Sequence, residues 1–456
     1  MNKRIKRTLG LNDAISIVAG SMIGSGIFIV SAEMSRLTNS GLMLLLCWII
    51  SGIMTICGAL CYAELSSTLP DDGGQYIYIK KIFGEKFAFV YAWTLFAVIQ
   101  TGTLAAVNIA FAKFLGLIFP FFSEYNVLFS IGNFNVNSCQ LLAAAVVCAI
   151  TYINTRGIKE GMFVQNLFTV TKILAVVFVI FCGTVFGFKP QIFLANMNLP
   201  TFSGFGNFLS VMSAALVGSS FASITWNNVT FIASEVKKPA RNIPKALLYG
   251  TFCVIALYFA INIVYLGAIP LELIKISPED TVAAQLASVI FGSAGLKIIA
   301  LIIVISAIGC ANGMILSGSR IYCKTARDKL FFRALAKIDR KTKVPVNSLY
   351  FQCFWICALI LWGSYSALLD YVIYSSLIFY MLTIAGIFKL RKSAVRKRGI
   401  FRVNNLVIIT FLLISGFIVV GLTVGKPMYT IPGLIITGAG FPIYAIRKKL
   451  ILKKQS

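Results

Sequence analysis

Long apolar stretches separated by short polar and basic segments recur along the whole chain. A helix needs about 20 apolar residues to cross a bilayer, and twelve stretches approach or exceed that length. They lie near residues 11–33, 41–65, 86–118, 138–154, 161–186, 206–233, 246–269, 294–320, 346–362, 367–388, 403–424 and 428–446. The pattern predicts an all-α polytopic membrane protein, with residues 1–456 forming a single transmembrane domain of about 12 helices.

Two of these spans are interrupted by glycine and small polar residues. The first contains Gly-Ser-Met-Ile-Gly-Ser-Gly-Ile-Phe at Gly20–Phe28, and the sixth contains a run of small and polar residues at Gly218–Asn228. Glycine is unfavourable inside a helix, and lipid offers no water to an unpaired backbone. A broken helix at membrane depth is therefore expected where it lines a ligand cavity. Close helix packing through small residues is the alternative for Gly20–Gly24.

The positions of the two breaks predict an internal repeat. Spans one and six each begin a group of five, and because five is odd, the second group enters the membrane from the opposite side. This predicts a first repeat over residues 11–186, an inverted repeat over 206–390, and two additional helices within 403–446. The two broken helices are then expected to meet near the bilayer midplane.

The composition agrees with this architecture, because 58% of residues are hydrophobic and 12% are charged, against about 25% charged in soluble domains. The net charge of +26 comes from basic clusters in alternate loops, so the positive-inside rule predicts that both termini are cytoplasmic. We expect anionic lipid headgroups to be the partners of that basic face. A nucleic-acid partner is not expected, and the expected location is the bacterial inner membrane.

The chain contains no histidine and eleven cysteines. Without histidine it lacks the usual proton relay, triad base and metal ligand. No cysteine belongs to a Cys-X-X-Cys pair, and most lie inside spans, where they are expected to be free, buried and apolar. The sequence therefore predicts no enzyme, no catalytic residue, no bound metal and no cofactor.

Lys172 lies in the middle of the fifth span. An ionisable residue at this depth costs about 2.5–3.5 kcal/mol on insertion scales, so it should face a cavity or a partner. The alternative is that the side chain extends to the interface, which requires the span to be shifted by about two turns.

Other polar residues within the spans have two interpretations each. Glu64 and Glu235 lie near predicted cytoplasmic span ends, where they either pair with basic residues in a gate or are simply helix caps or solvated side chains. Four amide side chains serve either interhelical hydrogen bonding or substrate binding: Gln100, Asn108, Asn262 and Asn312.

Several motifs resemble those of one transporter family. The run Gly20–Phe28 looks like the first-span signature of the amino acid–polyamine–organocation superfamily. Further segments are similar to its L-type amino acid transporter branch: Tyr62–Leu65 with Gly73–Tyr76, Trp226–Asn228 with Glu235–Pro244, and Gly309–Gly313 with Ser319–Arg320 and Ala326–Asp328. The motifs extend from residue 9 to about residue 390. The resemblance implies ten spans in two inverted halves plus two extra helices, and sodium-independent amino acid transport by exchange or proton coupling.

The resemblance also implies a substrate site at the two breaks. The α-carboxylate would bind backbone amides of the Gly24 turn, at Ser25, Gly26 and Ile27, which agrees with the attraction of helix N-termini for anions. The α-ammonium would bind carbonyl oxygens near these residues: Ser21, Met22, Phe221 and Ala222. Phe221 would close over the substrate, whereas composition alone favours a core aromatic.

Lys172 also acquires a role from the resemblance. Its ammonium would replace a sodium ion, and it would hydrogen-bond carbonyls at the first break and a hydroxyl of span eight, for which Ser306 is the candidate. The ammonium is then either a fixed sodium mimic or the carrier of a coupled proton.

One departure from the L-type pattern bears on the substrate. Relatives often carry glycine just before the span-six tryptophan, whereas Ile224 and Thr225 stand here. The bulk of Ile224 favours small or medium neutral amino acids over large aromatic ones. A carrier of cationic amino acids or amines is the alternative, but it would need an acidic residue in the distal pocket. A channel, an integral-membrane enzyme and a binding-only sensor are further alternatives from other classes.

Some relatives bind a glycoprotein partner through a cysteine in the loop after span three. The loop Pro120–Ser138 has no cysteine, and Cys139 follows it. We therefore expect no obligatory protein partner.

Overall fold

The computed structural model describes residues 7–71, 73–131, 134–200, 202–277, 281–362, 365–393, 401–425 and 427–453. Ten helical stretches of these residues are long and apolar enough to cross a membrane. The two other predicted spans, 346–362 and 428–446, coincide with the helices Val346–Trp362 and Pro427–Lys453. The predicted all-α, multi-pass membrane architecture is confirmed.

Twelve helical segments correspond to the predicted spans and take their numbers. Span one consists of two helices, Leu11–Met22 and Gly26–Thr38. The others are Gly41–Thr68, Glu85–Ile118 with a π-helical turn at Leu95–Ile99, Ser138–Arg156, Ile158–Cys182 continued by a π-helical turn at Gly183–Gly187, Phe205–Glu235, Pro239–Ala268, Gly295–Arg327, Val346–Trp362, Tyr365–Ser393, Asn405–Gly425 and Pro427–Lys453.

Short elements connect the spans. The connecting helices are Gln75–Phe83, Pro190–Asn196, Leu271–Lys275 and Val282–Phe291. The connecting 3₁₀ turns are Pro120–Phe122, Gly292–Ala294 and Arg333–Ala336. The loop after span three holds an antiparallel hairpin of Val127–Ile131 and Phe134–Asn137. The sequence analysis did not predict this hairpin, whose first strand is rich in the β-branched and aromatic residues that favour strands.

Local sequence signals determine where several spans begin. Asn137 accepts a hydrogen bond from the Gln140 amide at 2.8 Å, and the Gln140 side chain accepts one from the Asn137 amide at 3.0 Å. This reciprocal capping box satisfies two amides that the start of span four would leave unpaired. Ser40 caps span two by accepting a hydrogen bond from Met43, and Pro239 begins span seven, a position where its missing amide proton costs nothing.

The two broken spans lie at the centre of the bundle. The first half of span six packs along the second half of span one, and span seven packs against both span two and the first half of span one. In span three, 94% of the most apolar window is buried, against 33% in spans five and eleven. Spans five and eleven therefore present apolar faces to lipid, whereas spans one, three and six line the interior. The division into two inverted five-span repeats stays a prediction.

Candidate functional site

The first break is a true interruption of the helix. The first helix of span one ends at Met22, Ile23 adopts an extended conformation with φ −73° and ψ 92°, and the second helix begins at Gly26. The first amides of a helix have no acceptor within the helix, so the amides around Gly26 and Ile27 remain available to an anion. The hydroxyl of Ser25 is buried here without a hydrogen-bond partner among the described residues.

The glycines around this break have different functions. A Cβ atom on Gly20 would lie 2.0 Å from Nε2 of Gln165 and 2.2 Å from Oγ1 of Thr169. Gly20 therefore allows span five to pack closely, which was the alternative interpretation of the glycine run. A Cβ atom on Gly26 would lie 3.1 Å from both Cα and Cβ of Ala222. At Gly26 the two broken spans are in direct contact.

The second break differs from the prediction. The α-helix continues through Ser223, so the expected interruption from Gly218 onward is wrong for residues 218–223. From Ile224 to Glu235 the chain forms a 3₁₀ helix, with a kink at Ile232. Gly218 instead allows close packing, because its Cβ atom would lie 3.2 Å from Cβ of Val30 in span one.

Lys172 is completely buried and lies against the first break. Its Nζ donates hydrogen bonds to the carbonyl oxygens of Gly20 and Ile23, the latter at 2.6 Å. Ser306 of span eight donates to the carbonyls of Ile23 and Gly24 at 3.1 and 3.2 Å. The structure thus brings the two residues together at the predicted place, and Lys172 does not extend to the interface.

Two further side chains donate hydrogen bonds to a backbone carbonyl of the first break, and the sequence analysis predicted neither. Thr225 Oγ1 donates to the carbonyl of Ser21 at 2.7 Å, and Cys310 Sγ donates to the same oxygen at 2.8 Å. A carbonyl oxygen has two lone pairs, so the Ser21 carbonyl is fully used. The other carbonyls predicted to bind an ammonium group, those of Met22, Phe221 and Ala222, retain capacity.

Tyr258 of span seven contacts both broken spans. Its hydroxyl lies 2.8 Å from the carbonyl oxygen of Met22 and 3.1 Å from that of Ala222, and the side chain is buried. Nothing local in the sequence distinguishes this tyrosine from other tyrosines in the spans. Phe221, the proposed lid, is also buried, which agrees with both interpretations of that residue.

A small cavity of about 20 Å³, with space for about one water molecule, adjoins the second break. Ile224 contributes to its wall, and Tyr380 of span ten donates a hydrogen bond to the Ile224 carbonyl at 2.8 Å. None of the described residues that line the cavity is charged. Its polar wall includes Gln75, Gln100, Thr103, Thr225, Asn227 and Asn228.

Two buried ion pairs lie at the span ends predicted to face the cytoplasm. Arg391 donates two hydrogen bonds to Glu64, at 2.7 and 2.5 Å, and Arg320 donates one to Glu235 at 2.9 Å. The backbone carbonyl of Glu235 also accepts hydrogen bonds from the amides of Thr8 and Leu9. Buried charges require such partners, and both glutamates are paired with arginine, as one of the two interpretations expected. The gate that this interpretation included stays a prediction.

The four amide side chains of the spans mostly join helices. Gln100 donates to the Met314 carbonyl, Asn312 donates to the Gly161 carbonyl, and Asn262 accepts a hydrogen bond from Ser31. Asn108 instead donates to Leu104 of its own helix.

Comparisons with known proteins agree with this architecture. The family model described as amino acid permease matches residues 9–444. The "Large neutral amino acids transporter small subunit 2" of Homo sapiens is 30% identical over 451 residues, covering 96% of this chain and 80% of that protein. The "b(0,+)-type amino acid transporter 1" of Mus musculus is 28% identical, covering 93% and 84%, and the "Asc-type amino acid transporter 1" of Mus musculus is 27% identical, covering 96% and 81%.

These matches confirm the resemblance to the amino acid–polyamine–organocation superfamily and its L-type branch. The chain belongs to the amino acid permease family, and it is a multi-pass membrane transporter of amino acids.

Proposed function

We propose that the protein is a sodium-independent exchanger of small and medium neutral amino acids that works by alternating access. The observation that carries this proposal is the buried Lys172 ammonium bound to the carbonyls of Gly20 and Ile23. Exposed carbonyl oxygens at a broken helix are the ligands with which transporters of this type hold sodium. The ammonium supplies a permanent positive charge at the same oxygens, so sodium is not required.

The substrate backbone binds where the two breaks meet. The α-carboxylate lies against the amides of Gly24–Ile27 and the unpartnered Ser25 hydroxyl. The α-ammonium takes the remaining capacity of the Met22 and Ala222 carbonyls. Phe221, which directly precedes Ala222 in the buried part of span six, closes over the bound substrate.

The substrate side chain extends towards the small cavity beside Ile224, which widens to hold it when the substrate binds. A cationic side chain would need a carboxylate to offset its desolvation, and the described wall of the cavity contains none. Neutral substrates are therefore favoured over cationic ones. Ile224 reduces the space beside the second break, which favours small and medium side chains.

Exchange fits the geometry better than proton coupling. The Lys172 ammonium donates to two carbonyls, and loss of its proton would weaken both interactions because charge-assisted hydrogen bonds are roughly twice as strong as neutral ones. The lysine therefore acts as a fixed support for the first break. Reorientation of the carrier then depends on a bound amino acid.

In the membrane, both termini face the cytoplasm, as the basic loops predict, and anionic headgroups of the bacterial inner membrane contact that side. No obligatory protein partner is required. The loop after span three contains a hairpin without cysteine, and Cys139 is buried at the start of span four. A buried thiol in that position is not accessible for a disulfide bond with a second protein.

The test is transport by purified protein in proteoliposomes. Uptake of labelled alanine, or of the best competitor in a panel of unlabelled amino acids, is measured with sodium or choline outside, with or without internal amino acid, and with or without an inward proton gradient. We expect equal uptake in sodium and choline, and strong acceleration by internal neutral amino acids only. Strict sodium dependence would overturn the role of Lys172. Acceleration by the proton gradient alone would instead identify a proton symporter, and binding without uptake would identify a sensor.

A further inference from the structure

Three cysteines meet where spans four and nine pack together: Cys148 is exposed, Cys357 is partly exposed and Cys353 is buried. Cys148 Sγ lies 3.7 Å from Cys353 Sγ and 4.0 Å from Cys357 Sγ, and all three sulfur atoms lie within 4.8 Å of one another. All three thiols are free. The sequence predicts free, buried, apolar cysteines inside the spans, and Cys148 is instead exposed. The cluster is not visible in the sequence because Cys148 lies 205 and 209 residues from its two partners.

We infer that Cys148, Cys353 and Cys357 form a binding site for a soft, thiophilic metal ion of the Cu(I) class. The site is separate from the proposed substrate site, which lies at the breaks of spans one and six. It would join span four to span nine through one ion.

The spacing of the sulfur atoms fits a single ion. A metal–sulfur bond of about 2.3 Å places three sulfur atoms in a plane around one ion about 4 Å apart. The separations from Cys148 Sγ to the other two sulfur atoms, 3.7 and 4.0 Å, are close to this value, so the ion needs little rearrangement of the helices. Cys353 and Cys357 are one helical turn apart on span nine, which directs both side chains to the same face.

The surroundings select the type of ion. Cys148 is exposed and lies ten residues into span four, which is about 15 Å along the helix and therefore at membrane depth. Thiolate ligands without nitrogen or oxygen select soft ions such as Cu(I). The thiolate is the form of cysteine that binds a metal ion, so each sulfur atom that coordinates the ion releases its thiol proton to the solvent.

The experiment is a competition for Cu(I) between the purified full chain and a chromogenic Cu(I) chelator, under anaerobic and reducing conditions. We expect the wild type to withdraw one equivalent of Cu(I) from the chelator. Cys148→Ser and Cys353→Ser should each reduce the apparent affinity by at least about tenfold, since each removes one of three ligands. Cys148 faces lipid, so its replacement leaves the packing of the interior intact.

The matched control is the pair Cys57 and Cys61 of span two. These residues have the same spacing along one helix as Cys353 and Cys357, but no third cysteine, histidine or carboxylate of the described residues completes a cluster with them. Cys57→Ser should retain the wild-type affinity. Cu(I) should also raise the thermal unfolding midpoint of the wild type and of Cys57→Ser, but not that of Cys148→Ser. Failure of the wild type to compete, or full competition by Cys148→Ser, would overturn the assignment.

Discussion

Spans one and six are both interrupted, but the backbone leaves the α-helical conformation differently in each. In span one the helix stops at Met22, passes through the extended residue Ile23, and starts again at Gly26. In span six the α-helix passes directly into a 3₁₀ helix at Ile224, so hydrogen bonding along the backbone is tightened and not lost. Span one therefore exposes more unpaired backbone than span six.

The supports of the two breaks differ accordingly. The carbonyls of the first break bind a buried cation, a serine, a threonine and a thiol from neighbouring spans. At the second break the Ile224 carbonyl accepts a hydrogen bond from Tyr380, and the Tyr258 hydroxyl is shared between Met22 of the first break and Ala222. Within a membrane, each backbone amide or carbonyl group that has lost its helical hydrogen bond needs another hydrogen-bond partner. We therefore expect substitutions at the first break to have larger effects than those at the second.

The largest effect is expected from Gly26→Val. A Cβ atom at this position would lie 3.1 Å from backbone and side-chain atoms of Ala222, and a β-branched residue also restricts the backbone that must approach the substrate. Binding of labelled substrate to the purified protein should fall below detection, while the protein stays monodisperse in detergent.

Gly438→Val in span twelve is the matched control, because a Cβ atom there has nothing within 4 Å, and it should bind normally. Retention of wild-type affinity in Gly26→Val would contradict the placement of the substrate carboxylate at this turn.

The next largest effect is expected at Lys172. Loss of a charged hydrogen-bonding partner costs about 1.5–3 kcal/mol, so Lys172→Ala should slow exchange in proteoliposomes by at least about tenfold. Lys172→Arg should also be impaired, because a planar guanidinium does not reproduce a compact ammonium. Lys297→Ala changes an exposed lysine at the start of span eight and should leave exchange unchanged. Full activity of Lys172→Ala would show that the first break does not depend on this cation.

The sequence predicted the features of these breaks that depend on residue type. A lone lysine at mid-span and clustered glycines have few structural explanations in lipid, so Lys172 and the interruption near Gly24 could be placed before the fold was known. Ser306 was suggested only by the family resemblance. Tyr258 and the cluster around Cys148 could not, because their significance comes from contacts between distant spans. The helical state of residues 218–223 was mispredicted because small residues serve close packing as readily as unwinding.

A smaller effect, on specificity, is expected from Ile224→Gly at the second break. Removing the side chain enlarges the small cavity on the side where Ile224 lies. Added space for a larger apolar group changes the discrimination between large and small substrates by about tenfold or more. The ratio of phenylalanine to alanine uptake should rise by about tenfold. An unchanged ratio in a variant that still exchanges alanine would place the substrate side chain elsewhere.

The smallest effects are expected from Tyr258→Phe and Tyr380→Phe. Comparing them distinguishes a hydroxyl that contacts both breaks from one that contacts the second break alone. Tyr258→Phe removes a hydroxyl that lies within hydrogen-bond distance of the Met22 and Ala222 carbonyls, whereas Tyr380→Phe removes a donor to Ile224 only. A neutral hydrogen bond contributes about 0.5–1.5 kcal/mol, so each variant should lose only a few-fold in exchange rate. Because Tyr258 contacts two carbonyls of the proposed ammonium site, its loss should raise the KM for alanine, whereas Tyr380→Phe should leave that KM unchanged. Equal changes in KM would show that the two tyrosines support a single structural unit, and the contrast between the breaks would then not extend to substrate binding.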